Sequence, residues 1–257
     1  MHWVIEKNLF REYNFKILLE QLEKQEVEYT LVSVVPFSHD MEPDVNLEGN
    51  VFVCGSTAIG TQAKKKGWVP GYFDDNLNME IVTKQYGDNM LNSKTVFTTL
   101  KDAIPPFDRV FVRPCSDKKE FAGQVMDHSE FIEWRDKVVE LEGTSTWTSL
   151  KGEDQIMMAP VTFINAEFRF FVVDGVVVTG SLYKRGFQVY YSSDVDEEVY
   201  AYAQSMVDKW QPNRAFCLDV ALTDVGYKVI EINSINSAGF YALDMGKYIS
   251  AINSMEF

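Results

Sequence analysis

Apolar positions along this chain recur at two periods, and the switches between them mark out its elements. Leu9, Tyr13, Ile17 and Leu22 fall near a 3.6-residue spacing, which predicts a helix over residues 8–25. Short apolar runs predict strands at 28–35 and at 50–55, the second being Val-Phe-Val-Cys ending at a glycine. Residues 56–66 read as a helix that Gly67-Trp-Val-Pro-Gly71 breaks. Residues 92–102 read as a further helix. Arg109-Val-Phe-Val-Arg113 reads as a strand stopped by Pro114. An amphipathic helix over 131–141 rests on Trp134 and Val138, and an apolar strand follows at 155–163. Residues 168–183 form a hairpin pattern turning at Asp174-Gly175. Over 197–210, Val199, Tyr202, Ala203, Met206 and Trp210 make one helical stripe.

Mixed helices and short strands place the chain in the α/β (α+β) class. A small α/β unit is expected at about 1–88 and a second region over 89–257, with no internal repeat and no low-complexity linker between them.

The last strong pattern carries candidate chemistry. Cys217-Leu-Asp-Val-Ala-Leu-Thr-Asp-Val-Gly-Tyr-Lys-Val-Ile-Glu-Ile-Asn233 reads as two strands joined by Thr223-Asp224-Val225-Gly226. Glu231 and Asn233, two apart on one strand, share a face, and hairpin pairing can bring Asp219 beside them. Two carboxylates and an amide oxygen suit Mg²⁺, which takes one or two carboxylates and fills its shell with water and phosphate oxygens. The competing reading is a solvated sheet face.

Composition narrows the partners. The chain has 257 residues, is 46% hydrophobic and 14% aromatic, and can bury a substantial core. A formal charge of -14 argues against a nucleic-acid binder, yet a local basic pocket can still hold a phosphate. Cys54, Cys115 and Cys217 are odd in number and far apart, which favours a reducing cytoplasm over a disulfide framework. His2, His39 and His128 are too scattered for a zinc site. The N-terminus carries charges where a signal peptide needs an apolar run, and no segment approaches the roughly 20 apolar residues of a membrane helix.

The usual nucleotide loops are missing. Gly55-Ser-Thr-Ala-Ile-Gly60 lacks the Gly-Lys-Ser/Thr that lets a P-loop reach phosphates, so it reads as a strand-to-helix turn. The basic residues say more. Arg113 ends a strand, Lys118 and Lys119 follow in a polar loop, Arg169 opens a hairpin and Lys184-Arg185 closes it. Arginine can chelate phosphate oxygens with two donors and lysine acts as a point charge. Each alone reads as a surface charge; with the carboxylates downstream they describe a nucleoside triphosphate site.

In this order the pieces resemble the ATP-grasp superfamily over about residues 89–257, preceded by an α/β unit of the kind that commonly comes before that fold. The resemblance is to the clade in which arginine replaces the usual phosphate-contacting lysine. Arg113-Pro-x-x-x-x-Lys119-x-Phe121-x-Gly123 is similar to its first motif, and Met157-Met-Ala-Pro160 to the hinge strand (near 156–162) whose backbone holds adenine. Glu167-x-Arg169 and Ser181-x-Tyr183-Lys184 are similar to the second-subdomain motif; Asp219-Val-Ala and Glu231-Ile-Asn233 are similar to the metal ligands. Two departures stand out. The hinge carries Met157 and Met158 where relatives often have acidic residues, and the loop after Arg113 is poor in glycine.

The resemblance implies a Mg²⁺- and ATP-dependent ligase that joins a carboxylate to an amine through an acylphosphate. It implies Asp219, Glu231 and Asn233 as metal ligands, and Arg113, Lys119 and Lys184 on phosphates. Met158 and Ala159 would hold adenine and Glu167 the ribose, while Arg169 and Lys184 assist catalysis. The loop 236–239 would face the acceptor. Small-molecule, amino-acid or peptide substrates fit; nucleic acid and membrane do not, and a homodimer is compatible. A kinase on the same fold and a non-catalytic nucleotide-binding module remain the alternatives. Cys115 and Cys217 read as packing residues.

Overall fold

Three sheets organise the chain. The computed structural model describes residues 1–7, 13–36, 38–116, 120–144 and 150–257. The first sheet draws on β1 (His2–Glu6), β2 (Tyr29–Val34), β3 (Met41–Glu42), β4 (Asn50–Cys54) and β5 (Val69–Gly71), with α1 (Tyr13–Lys24) and α2 (Thr57–Lys66) between them. Its order is β3-β2-β1-β4-β5, parallel except for β3. Parallel strands covered on both faces read as unbroken apolar runs. That is why Trp3-Val-Ile5, the centre of this sheet, gives no alternation and no sequence signal for β1. Gly67 closes α2 in the left-handed conformation at φ 67°, as expected of a C-terminal glycine.

After α3 (Met79–Tyr86), a second sheet is built from β6 (Val96–Thr99), β7 (Arg109–Pro114), β8 (Gln124–Asp127) and β9 (Gln155–Pro160) in the order β6-β9-β7-β8, with α4 (His128–Glu140) on it. The helix expected over 92–102 is absent. Val96-Phe-Thr-Thr instead pairs antiparallel with β9, because β-branched and aromatic residues fit a pleated surface and pairing overrides a weak helical period. Asp127 and Glu130 form a capping box that starts α4 three residues earlier than expected. Leu100, Ala103, Val110, Val112, Phe131, Leu150, Ile156 and Met158 give this sheet a core of its own.

The third sheet comprises β10 (Ala166–Val173), β11 (Val176–Arg185), β12 (Gln188–Ser192), β13 (Ala215–Thr223) and β14 (Gly226–Ser234), with α5 (Glu197–Lys209) after β12 and α6 (Met245–Asn253) after β14. Its order is β12-β11-β10-β13-β14, all antiparallel. Asp174 and Gly175 both have positive φ, 47° and 79°, as a two-residue hairpin turn requires. One face packs on α5 and α3. Residues 77–90, which straddle the expected boundary at 88, join this core, and α6 returns to pack on α1 and the first sheet. Gly180 lies on the α5 side, where an added Cβ would run into the Phe170 ring. Gly180→Ala should therefore cost about 1–3 kcal/mol. The check is the urea midpoint at unchanged slope; a wild-type midpoint would mean that the ring simply moves aside.

Candidate active site

The opposite face of the third sheet changes character along its strands. Phe171, Val173, Ala215 and Cys217 pack against Trp3, Ile5 and Phe52 of the first sheet. Where that cover ends, the same alternation brings up Glu167, Arg169 and Asp219. Pairing places Ser181, Arg169, Asp219 and Glu231 side by side on four adjacent strands. Sequence spacing puts Glu231, Asn233 and Asp219 together, and they do meet. Asp219 lies directly opposite Glu231, and the Asn233 amide Nδ2 donates to Asp219 Oδ2 at 3.2 Å and to Glu231 Oε1 at 3.0 Å.

Each acid in this row already faces a cation. Arg169 donates Nε and Nη2 to the two oxygens of Asp219 at 2.8 and 2.7 Å, a buried bidentate pair. Arg113 reaches across from β7 and donates to Glu231. Lys184 Nζ donates to Glu167 Oε1 at 2.7 Å, and the Tyr183 hydroxyl donates to Glu167 Oε2 at 2.8 Å. A β-bulge makes that double contact possible: Glu167 opposes Lys184 while Phe168 opposes Leu182, so Tyr183 is the extra residue. Burial, then the nearby Asp219 and Glu167 charges, holds the Tyr183 phenol well above its ordinary pKa, so it stays a donor. Tyr183 and Tyr241 stack at 4.6 Å, and the Arg169 guanidinium lies 5.0 Å from the Tyr241 ring centre.

The donor set fits Mg²⁺ with a nucleotide. Burial pushes the Asp219 carboxyl above the usual carboxylate range even with Arg169 beside it, helped by Glu231 and Glu167. Among the described residues no group of three His, Cys, Asp or Glu could hold a metal. A cation here must take Asp219 and Glu231 and complete its shell from phosphate oxygens, water and the Asn233 amide. For Asn233 to act as a ligand, its amide must turn over, because Nδ2 now points at the carboxylates.

A cleft of about 230 Å³ between the second and third sheets is lined by Phe111, Arg113, Val161, Ile164, Glu167 and Lys184, among others. It adjoins one of about 320 Å³ bounded by Pro114, Phe121, Gly123, Tyr183 and Glu231. Gly123 permits this closeness: a Cβ there would stand 2.8 Å from the Phe111 ring. The expected hinge contacts lie slightly off. Met158 is buried in the second sheet's core, and both neighbours of β9 pair with it, so neither its side chain nor its backbone faces the cleft. Ala159 is likewise buried and absent from the lining; Pro160, Val161 and Thr162 line the cleft instead. Met157 and Met158 face opposite sides of β9 and each side is packed, and β6 covers the edge of β9 only as far as Met158. Lys118 and Lys119 fall outside the described residues.

The matched family model is an ATP-grasp domain, family 3 of its clade, over residues 30–252. The chain belongs to this ATP-grasp family. No curated protein matches it by sequence. Among solved structures, D-cycloserine synthetase DcsG is similar with a TM-score of 0.65 at 12% identity, over 98% of both chains. D-alanine--D-alanine ligase from Bacillus anthracis in complex with ATP gives 0.60 at 12% identity, over 99% of this chain and 91% of that one. The ATP-grasp ligase PsnB with its minimal precursor gives 0.59 at 12% identity, over 98% of both. At such identities the likeness is one of fold.

Within the ATP-grasp fold, the row from Ser181 to Glu231 crosses the large antiparallel sheet, and Arg113 comes from the smaller one. The loop after the row differs from its expected role. Asn236 is 1% exposed; its amide donates to Val53 and Gly71 carbonyls at 2.6 and 3.1 Å and accepts from the Phe73 N–H at 2.8 Å. It ties the loop to the first sheet and does not face an acceptor. Gly239 does border the site, where a Cβ would come within 3.7 Å of Arg169 Nη1. At the Gly55–Gly60 turn, Ser56 donates its N–H and hydroxyl to Glu6 at 2.8 and 2.6 Å. All three cysteines are buried, and burial raises the Cys115 thiol to about 12, which keeps it protonated. No helix among the described residues is long and apolar enough to cross a membrane.

Proposed function

We propose that this chain is an ATP-dependent carboxylate–amine ligase working through an acylphosphate with Mg²⁺. The observation that carries the reading is the alternating row Arg169–Asp219–Glu231–Arg113, in which two cations suited to phosphate sit against two acids suited to a metal. Mg²⁺ would supply charge neutralisation at the transferring phosphoryl group. Arg113, Lys184 and Lys119 hold phosphate oxygens, and Glu167 receives the ribose hydroxyls. Adenine rests on residues 160–164, and Arg169 balances negative charge as the phosphoryl group moves. Residues 1–88 supply the acceptor-side wall and 89–257 the nucleotide-binding domain.

A substrate carboxylate oxygen attacks the γ-phosphorus and ADP leaves. The amine then attacks the acyl carbon and phosphate leaves with the carbon–oxygen bond broken. The amine's surplus proton passes to solvent or phosphate. The test offers Mg²⁺·ATP and a panel of amino acids and peptides with hydroxylamine, which converts an acylphosphate to a hydroxamate. Hydroxamate with ADP and free phosphate in equal amounts is the expected result. A phosphoester without free phosphate would make the chain a kinase. Nucleotide binding with neither product across the panel would favour the non-catalytic module.

A further inference from the structure

Among the described residues β12 is the outer strand of the third sheet, paired with β11 on one side and with no strand on the other. Its residues Gln188, Val189, Tyr190 and Tyr191 are all exposed, so both faces meet solvent. Phe187, in the turn before it, is 89% exposed and Val189 is 71% exposed. Phe163, also exposed, meets Phe187 edge-on at 5.9 Å. Edge strands are normally guarded by charge, proline or a covering loop, and contiguous exposed apolar patches usually mark an interaction site. Gln188-Val-Tyr-Tyr-Ser192 contains no charge and no proline.

The charge beside this edge is distinctive. Arg109, Arg113, Arg135, Arg169 and Arg214 each have a carboxylate partner. Arg185 has none among the described residues; its guanidinium lies 5.0 Å from the Tyr190 ring centre. An uncompensated cation in a chain of net charge -14 is complementary to an acid from outside. A second copy of the chain would bring the same large negative charge, and its repulsion, to this edge.

We propose that β12 docks an extended segment of a peptide substrate as a sixth strand of the sheet. Backbone pairing along the open edge supplies affinity, and alternate side chains supply specificity. Tyr191 belongs to the face that carries the site, since it packs on Tyr241 at 5.3 Å. Val189 shares that face and Tyr190 with Arg185 marks the other. The preferred segment therefore alternates apolar residues over Val189 and Tyr191 with acidic residues over Arg185. The inference rests on the ligase reading, for which it names the substrate class. The rings Tyr191, Tyr241 and Tyr183 lead from β12 to Arg169, so a peptide held there has a reactive group close to the transfer site.

The experiment uses two end-capped, fluorescein-labelled twelve-residue peptides: one alternating valine and glutamate, the other with the same residues in two blocks. Anisotropy is read with and without Mg²⁺ and a non-hydrolysable ATP analogue. The alternating peptide should bind the wild type more tightly than the block peptide. Arg185→Glu and Val189→Pro should each weaken it about tenfold. Arg185, grouped by the sequence with the phosphate-binding cations, lies against Tyr190 on the face away from the cleft, so both variants should keep the wild-type nucleotide-induced shift in Tm. Equal binding of the two peptides, or binding that neither variant weakens, overturns the proposal. So does a sedimentation dimer that Val189→Pro abolishes, because the occupant is then a second copy. Loss of the nucleotide shift in the wild type would sink the ligase reading, whereas the anisotropy without nucleotide reports on docking separately.

Discussion

Asp219→Ala should lower stability by about 3–5 kcal/mol, because it strands the Arg169 guanidinium with no counter-charge. Arg169 is only 6% exposed and both of its bonds to a carboxylate go to Asp219. Asp219, 1% exposed, keeps the pair charged: the guanidinium is held well above its ordinary pKa despite burial, so it cannot shed its proton to relieve the loss. For a chain of this size the drop in Tm is on the order of 10 °C. Replacing both partners with apolar residues, Arg169→Met with Asp219→Leu, should recover most of it, since the double change leaves no buried charge. Thermal and urea unfolding of the wild type and the two variants measure this directly. An Asp219→Ala protein within about 1 kcal/mol of the wild type would show that water reaches Arg169 freely.

Mg²⁺ and nucleotide should bind together and scarcely at all apart. The cleft holds three ion pairs: Arg113 with Glu231, Arg169 with Asp219, and Lys184 with Glu167. It is therefore electrically balanced. A lone metal ion would have to displace guanidinium groups that have nowhere else to go, and a lone triphosphate would face three carboxylates. Together they allow an exchange in which the arginines move to phosphate and the acids to metal. At about 100 times its dissociation constant the pair should add roughly 2.7 kcal/mol of stability, a rise of several degrees in Tm. Mg²⁺ alone should give less than a quarter of that rise. Arg113→Ala should weaken the nucleotide effect yet strengthen binding of Mn²⁺ alone, because Glu231 is then unclaimed by Arg113. Manganese electron paramagnetic resonance reads the second effect without turnover. Tight metal binding to the nucleotide-free wild type would contradict the exchange.

Much of this arrangement was legible in the sequence because it depends on short-range pattern. Glu231 and Asn233 share a face through a spacing of two, and Gly226 and Gly175 fix the turns that set the register. Membership of the ATP-grasp family agrees with the order of motifs from Arg113 to Asn233. What was hidden depends on partners distant in sequence. β1 gives no periodicity because both its faces are covered. The segment at 96–99 takes its strand from β9, nearly sixty residues away. β12 and α6 were not expected at all, the first because one sheet edge holds it and the second because it forms on a core shared with Trp3 and Leu18. Met158 is a matter of phase: Met157 and Met158 must face opposite ways on a strand, and both directions at that point lead into packed cores. The role of Tyr183 follows from a bulge, which no alternation rule foresees.

The single amide of Asn236 has a mechanical consequence. It bonds to the backbones of Val53, Gly71 and Phe73, while its own carbonyl takes the Gly55 N–H at 2.8 Å. The first sheet is thereby riveted to the end of the strand that carries Glu231 and Asn233, and the apolar cluster shared by β1, β4, β10, β13 and α6 seals the joint. These two sheets form one frame. The second sheet has its own core and meets that frame along Cys115, Met157 and Ala159 and through the Arg113–Glu231 pair. In the proposed reaction, β6–β9 with α4 would be the jaw that travels as nucleotide enters. Arg113, paired with Glu231, would be its latch, released from the frame when phosphate offers that arginine a better anion.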